Sequence, residues 1–343
     1  MDDTADPTPS DRVTFPGCPT AVAPLGVGTW AWGDSKTWGM GSYDTALTES
    51  TIGAAWATSI EAGLGLFDTA EVYGAGESER IIGRLLAATM ADDPPATGAA
   101  TRDRLLIATK FWPAPWKLNV GTALRRSLEA SLGRLQLPYV DLYQIHGPIS
   151  LRSASALAEA LVTVVDAGLT RAVGVSNYSI KETTRIHREL EQRGVPLASN
   201  QIEYSLLRRR PETDGLIGRC RDLGVVPIAY SPIGQGRLTG KYSASNPPPK
   251  GRSFSAHPMD DIDRVVAVLR EIGVAHERTP SQVALRWIID KGAVPIPGAK
   301  NEYQAIDNAG ALGWSLDAGE IDALDRAALD GTRSLANRFW QHG

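Results

Sequence analysis

The sequence predicts an α/β fold, a single (β/α)8 barrel of TIM-barrel type with a long loop after the seventh strand and extra C-terminal helices. Three observations lead there. Eight short runs of strand character alternate with helical patterns, which implies parallel strands joined by crossover helices. Eight such units suit a closed barrel better than an open, doubly wound sheet. No composition break marks a linker within the 343 residues, a length that one large barrel fills. Finally, Asp68, Lys110, His146, Ser176, Gln201, Tyr230 and Gly298 fall at strand ends or just beyond them. In a barrel those ends share one mouth, where barrel active sites are built. Turn chemistry explains any one of them, since an Asp at a strand end is often a cap, but all seven together are hard to assign to it. Residues 16–335 are expected to form the barrel domain, with 1–15 a loose N-terminal tail and 336–343 a C-terminal tail.

The first strand lies within LGVGTW at 25–30. Gly26, Gly28 and Ala31 match the GxGxxA dinucleotide fingerprint. That fingerprint needs a helix to open at its last small residue, whereas a glycine- and tryptophan-rich loop follows, so the match is a decoy. The spacing of Ile52, Ala55, Trp56 and Ile60 predicts a helix over 48–62. In LGLFDTAEVYGAGESERIIG, 64–83, an apolar run stops at Asp68, a short loop carries Tyr73, and Glu77-Ser78-Glu79 opens a helix reaching about 90. ADDPPATG at 91–98 has the composition of a surface loop. The third strand, 105–110, ends on Lys110; an aromatic loop, FWPAPW, and an amphipathic helix over 120–135 follow. The fourth, 140–146, ends on His146 and leads to a helix over 153–167. The fifth, 169–175, ends at Ser176-Asn177 and leads to a helix reaching about 192. The sixth, 197–201, ends on Asn200-Gln201, and a helix over 211–222 stops at Gly224. The seventh, 225–230, ends at Tyr230-Ser231. The Gly/Pro/Ser-rich excursion 234–254 has the length of a lid or binding loop. Helices over 260–276 and 281–290, a last strand at 293–296 closed by PGAK, and helices over 301–311 and 317–329 complete the pattern. The final NRFWQHG is left unassigned.

Composition excludes several function classes. Hydrophobic residues are 43% and charged residues 22% of the chain, ordinary for a globular protein with a sizeable core. The net charge is −4, and Lys and Arg are scattered apart from Arg208-Arg209-Arg210, so no basic face points to nucleic acid. The two cysteines, Cys18 and Cys220, lie far apart without CxxC spacing, against a disulfide framework or zinc site and in keeping with a reducing compartment. MDDTADPTPSD is neither a signal nor a transit peptide, and no stretch has the length of a membrane span. A soluble, cytoplasmic protein is expected.

Chemistry at the mouth narrows further. Of the five histidines only His146 lies at a strand end, with no HxH or HExxH spacing, so no metal is expected. There is no GxSxG elbow and no strand-end cysteine for nucleophilic catalysis. Asp68, Tyr73, Lys110 and His146 remain, a set suited to giving a proton to a carbonyl oxygen. Tyrosine, with an ordinary pKa near 10, is a poor acid at neutral pH, and the Lys110 ammonium is expected to lower that value. Asp68 is the candidate counter-charge that keeps a buried lysine protonated. A neutral His146 could hydrogen-bond the same oxygen and orient the substrate.

FDTAEVYG at 67–74, ATKF at 108–111, LYQIHGP at 142–148, GVSNY at 174–178, ASNQIEYSLL at 198–207, IAYSPIGQGRLTGKY at 228–242 and IPGAKNEYQAIDNAGA at 296–311 are modest singly and specific jointly. Through them the chain resembles the aldo-keto reductases over about 24–329. GTWAWG at 28–33 and NPP at 246–248 resemble the pyridoxal reductase-like branch. The resemblance implies an NADP-dependent oxidoreductase, with NADPH/NADP+ as cofactor, that reduces an aldehyde or ketone, pyridoxal-like compounds included, to an alcohol. Tyr73 would be the general acid, tuned by Lys110 and Asp68, and His146 would position the carbonyl. Ser176, Asn177 and Gln201 would hold the nicotinamide amide, beside Thr29, Trp30 and Asp68, with Tyr230 stacked on the ring. Ser231, Pro232, Ile233, Gly234, Gly236 and Lys241 would cover the pyrophosphate. Gly298 and Ala299 would flank the cofactor, Lys300 would pair the 2′-phosphate, and Gln304 and Asn308 would touch adenine.

Two departures from the family pattern bear on this. Gly147 stands where many relatives carry a bulky aromatic residue, which predicts a wider substrate pocket. An arginine often found about two helical turns after the Lys300 position is absent, with Ile306 and Asp307 in its place, which weakens the expected preference for NADPH. Trp30, Trp32, Trp112 and Trp116 are candidate walls of an apolar carbonyl pocket, or ordinary rim packing. The potassium-channel β subunits, which the chain also resembles, suggest an alternative, an NADPH-binding sensor with little turnover. Running as an alcohol dehydrogenase would use the same residues in reverse.

Overall fold

The computed structural model describes residues 12–33, 47–92, 99–248, 257–331 and 339–343. Eight parallel strands form one sheet in sequence order: β1 Gly26–Gly28, β2 Leu66–Asp68, β3 Leu106–Phe111, β4 Val140–Ile145, β5 Thr170–Ser176, β6 Leu197–Glu203, β7 Val226–Tyr230 and β8 Val294–Pro295. The sheet closes on itself where Gly28 bridges Gly298 and the Gly28 N–H donates to the Pro297 carbonyl at 2.9 Å. The last strand and the first are thereby neighbours, and no edge is left open.

The pleat sorts side chains between two cores. Outward-facing Val27, Phe67, Ile107, Tyr143, Val173 and Leu197 pack with the helices in the larger core. Inward-facing Leu66, Leu106, Ala108, Leu142, Ala172, Ala198, Ile228 and Val294 fill the lower half of the barrel. Part of the stretch expected as a loose tail closes the bottom: Val13–Thr14 pair antiparallel with Ala21–Val22, and Phe15 is fully buried in the inner core.

Most expected helices form, with shifted ends. The helix after Asp68 runs over Glu77–Asp92, and the chain enters it through a tight turn, Tyr73–Gly76, in which Gly74 and Ala75 are left-handed. Thr48, Asn119, Ser153, Ser179, Thr279, Asn301 and Asp317 each accept a backbone N–H as N-caps. The single helix expected over 211–222 is instead two, Arg210–Thr213 and Leu216–Asp222, broken at Gly215, whose φ of 87° leaves the helical region. A short helix at Ala99–Arg104 was not anticipated. In the excursion after β7, Gly234–Thr239 makes a short 3-10 segment, while residues 249–254 lie outside the described residues. Among the described residues no helix is long and apolar enough to cross a membrane.

Candidate active site

The alternation that fills the barrel bottom with apolar groups also places polar ones at its top. Two residues beyond inward Leu66 comes Asp68; two beyond Ala108 comes Lys110; Leu142 is followed at the same spacing by Gln144 and His146, Ala172 by Gly174 and Ser176, and Ile228 by Tyr230. Strand register sets them side by side, with Lys110 opposite Gln144 and Gln144 opposite Gly174. Gly174 is required there: a Cβ would lie 2.2 Å from Ser199 Oγ and 3.1 Å from Gln144.

Lys110 spends all three ammonium donors inside the barrel. It pairs with Asp68 Oδ1, donates to the Thr69 carbonyl at 2.9 Å, and donates to the Tyr73 hydroxyl at 3.2 Å. The other Asp68 oxygen accepts from Gln201 Nε2 at 2.8 Å and Gln144 Nε2 at 3.1 Å. The carboxylate is therefore fully partnered, which a buried charge requires. Burial alone would pull the Lys110 ammonium down, but Asp68 and then Tyr73 outweigh it and hold its pKa above the ordinary value. Since Lys110 can only donate, the Tyr73 oxygen accepts from it and its own proton is left to face the cavity. The Tyr73 pKa moves opposite to expectation. Burial raises it, and the Lys110 charge, which lowers it, does not compensate, so the phenol stays protonated at neutral pH. His146 is held neutral, well below its ordinary value, by burial first and the Lys110 charge second. Its ring meets Tyr73 edge-on at 5.6 Å and Trp112 at 5.7 Å, and its buried Nδ1 has no partner among the described residues.

Asp68, Tyr73 and His146 border a cavity of about 790 Å³ across the mouth, and Lys110 is buried behind them. Of the cofactor residues expected from sequence, Thr29, Trp30, Asp68, Ser176, Asn177, Gln201, Tyr230, Ser231, Pro232, Ile233, Gly236, Lys241, Gly298, Ala299, Lys300, Gln304 and Asn308 line it. Gly234 sits behind the lining, where its N–H donates to the Ser231 carbonyl. Asn177 is left-handed with φ 62°, its Nδ2 donates to Ser176 Oγ, and its Oδ1 accepts from the Tyr230 hydroxyl at 3.0 Å. Ser231, Gly234, Gln235 and Gly236 all have positive φ, so the loop after β7 is wound tightly against the cavity.

The four tryptophans divide. Trp30 and Trp112 line the cavity, and Trp30 lies 6.5 Å from Tyr73 between ring centres. Trp32 reaches the lining but is fully buried, its Nε1 donating to the Ala299 carbonyl at 2.8 Å, so it is a packing residue. Trp116 stands outside, 77% exposed. The wider pocket expected at Gly147 is absent, because Trp340 fills that space and stacks on Trp112 at 4.8 Å. Trp340, and Thr279, Pro280 and Ser281 at a helix start, border the cavity without having been anticipated. No local pattern marks Trp340, whose ring meets Trp112, His146 and Gly147, all far away in sequence. Among the described residues no group of three or more His, Cys, Asp or Glu could hold a metal.

With that geometry in view, the likeness to known proteins is informative. The sequence matches the Aldo/keto reductase family over residues 24–329. It is 38% identical over 333 residues, 94% of this chain and 88% of the relative, to the chloroplastic pyridoxal reductase of Arabidopsis thaliana. It is 30% identical over 302 residues, 82% of this chain and 84% of the relative, to L-glyceraldehyde 3-phosphate reductase of Escherichia coli. Among solved structures, a glycerol dehydrogenase from Gluconobacter oxydans superposes with a TM-score of 0.78 at 27% identity, covering 96% of this chain and 99% of that one. An aldo/keto reductase from Klebsiella pneumoniae, solved with NADP and acetate, superposes with a TM-score of 0.69 at 26% identity, covering 94% and 97%. The family match spans most of the chain and the barrel is the same, so this chain belongs to the aldo/keto reductase family.

Proposed function

We propose that this protein is an NADP-dependent carbonyl reductase in which Tyr73 gives the proton to the carbonyl oxygen of an aldehyde or ketone. The observation that carries the assignment to Tyr73 is its place at the cavity with its hydroxyl oxygen accepting from Lys110 Nζ at 3.2 Å, which leaves the phenol proton free to be donated. When bound, NADPH supplies the hydride that completes reduction to the alcohol. The cavity suits that cofactor: Lys241 and Lys300 border it, and the left-handed loop after β7 resembles the concavities in which backbone N–H groups meet phosphate. In this reading Ser176, Asn177 and Gln201 hold the nicotinamide amide beside Tyr230, and Ser231–Gly236 with Lys241 cover the pyrophosphate. Lys300 pairs the 2′-phosphate, and Gln304 and Asn308 meet adenine.

Each polar group at the mouth then has a task. Asp68 keeps Lys110 charged, and Lys110 stabilises the phenolate as the Tyr73 proton leaves. Neutral His146 is able to hydrogen-bond the carbonyl oxygen without adding a charge to the site. Trp30 and Trp112 offer the reacting group apolar walls that exclude water. A cytoplasmic setting belongs to the same reading and is supported by Cys18 and Cys220, both buried free thiols.

The test is NADPH consumption, followed by cofactor absorbance, with a panel of pyridoxal, aromatic aldehydes and short aliphatic aldehydes. Steady multiple turnover with at least one carbonyl is expected. A protein that binds NADPH and stops near a single turnover with every carbonyl would contradict the assignment. Silence toward pyridoxal alone would remove that substrate and leave the reductase in place.

A further inference from the structure

The contacts of residues 339–343 at the mouth are of two kinds. Most of them anchor the segment. Gln341 Nε2 donates to the Tyr230 hydroxyl at 2.8 Å and to Glu203 Oε2 at 2.5 Å. The N–H groups of His342 and Gly343 both donate to the Asn177 carbonyl at 3.1 Å, and Arg208 Nη2 donates to the Gly343 carbonyl at 2.9 Å. Trp340, by contrast, faces the cavity: its ring stacks on Trp112 and meets His146 edge-on at 5.3 Å. It sits directly over Gly147, where an added Cβ would lie 2.8 Å from one ring carbon and 3.0 Å from two others. Glycine at 147 is thus the seat of an indole supplied from nearly two hundred residues away.

We propose that Trp340, seated on Gly147 and anchored through Gln341, is a specificity-determining wall of the carbonyl pocket, selecting planar aromatic or conjugated carbonyls over branched ones. The inference rests on the carbonyl-reductase reading and adds the substrate class. Around Tyr73 and His146 the walls are the indoles of Trp30, Trp112 and Trp340, which favour a flat π-system and leave no room for bulk on the Gly147 side. The wall is also tied to the proposed nicotinamide platform. Gln341 donates to Tyr230, and Tyr230 donates to Asn177 Oδ1, in one hydrogen-bonded unit.

The test compares wild type, Trp340→Ala and Gly147→Ala on two aldehydes, benzaldehyde as the planar substrate and pivalaldehyde as the branched one. NADPH affinity is measured separately by cofactor fluorescence. Trp340→Ala should move the planar-to-branched ratio of kcat/KM toward the branched aldehyde by roughly tenfold or more, the size of one pocket contact. NADPH affinity should stay within about twofold, which also reports a folded barrel. Gly147→Ala reaches the same wall from the strand side. Its backbone is not left-handed, so the added methyl acts only by displacing the indole, and the ratio must move as well. An unchanged ratio in both variants, with wild-type turnover intact, overturns this inference alone. A wild type silent toward every carbonyl overturns the reductase reading, and this inference with it.

Discussion

Asp68 and Lys110 illustrate how a buried charge is kept at the price of dependence on its partner. Lys110 has no exposed surface, and removing it leaves a carboxylate in the barrel with only two amide donors, Gln144 and Gln201. Breaking a buried pair in this way typically costs about 3–5 kcal/mol. Lys110→Met should therefore lower the urea midpoint and abolish carbonyl turnover, whereas Asp68→Asn with Lys110→Met should recover much of the stability and none of the turnover. Wild-type turnover in the single variant would show that the ammonium plays no part in the chemistry. The residues of this cluster were legible in the sequence to different degrees. Asp68, Lys110 and His146 lie at a strand end or within one residue of it, and that position exposed them. Gln144 lies within VDLYQI and reads as an ordinary polar residue, because only strand register reveals that it faces Lys110. The direction of the Tyr73 shift was misread for a related reason: a neighbouring ammonium is visible in sequence, whereas the depth of burial that outweighs it is not.

At the scale of elements, periodicity located the strands and most helices, since alternating apolar positions survive in the sequence. The break at Gly215 and the helix at Ala99–Arg104 were missed because short elements depend on tertiary contacts more than on pattern. A charge network supplies contacts of that kind around Arg210–Thr213. Glu212 is bonded to Arg209 Nε and Lys291 Nζ, both at 2.8 Å, and both of these cations also pair with Asp325 at 2.6 Å, which joins three helices. Burial alone would raise the Glu212 pKa, but bonds from Arg209 and Lys291 lower it from 4.5 to about 2. A carboxyl lowered on folding contributes stability above its unfolded value and loses it as pH falls through the folded one. The contribution should therefore be full above pH 4.5 and fade toward pH 2. Denaturation of Glu212→Gln at neutral and acidic pH should show lower stability at neutral pH and a flatter loss on acidification. A wild-type acid profile in the variant would remove the network from the account.

The molecule as a whole separates stability from chemistry along the barrel axis. The bottom is closed by Phe15 and its short antiparallel pairing, while the polar groups, the cavity and Trp340 gather at the top. Phe15→Ala should accordingly cost about 3–5 kcal/mol in chemical denaturation, as expected for a buried aromatic, without altering turnover per folded molecule. A matching fall in turnover per folded molecule would show the two ends to be coupled. The alternation of strand and helix made the barrel legible, but nothing local in the sequence joins Trp340 to Gly147 across the mouth. The central claim is tested most directly by single-turnover oxidation of pre-bound NADPH by Tyr73→Phe beside wild type. The account predicts a rate lower by about 10²- to 10⁴-fold, the usual contribution of a positioned acid, with NADPH affinity kept. A variant that reduces carbonyls at the wild-type rate would contradict it.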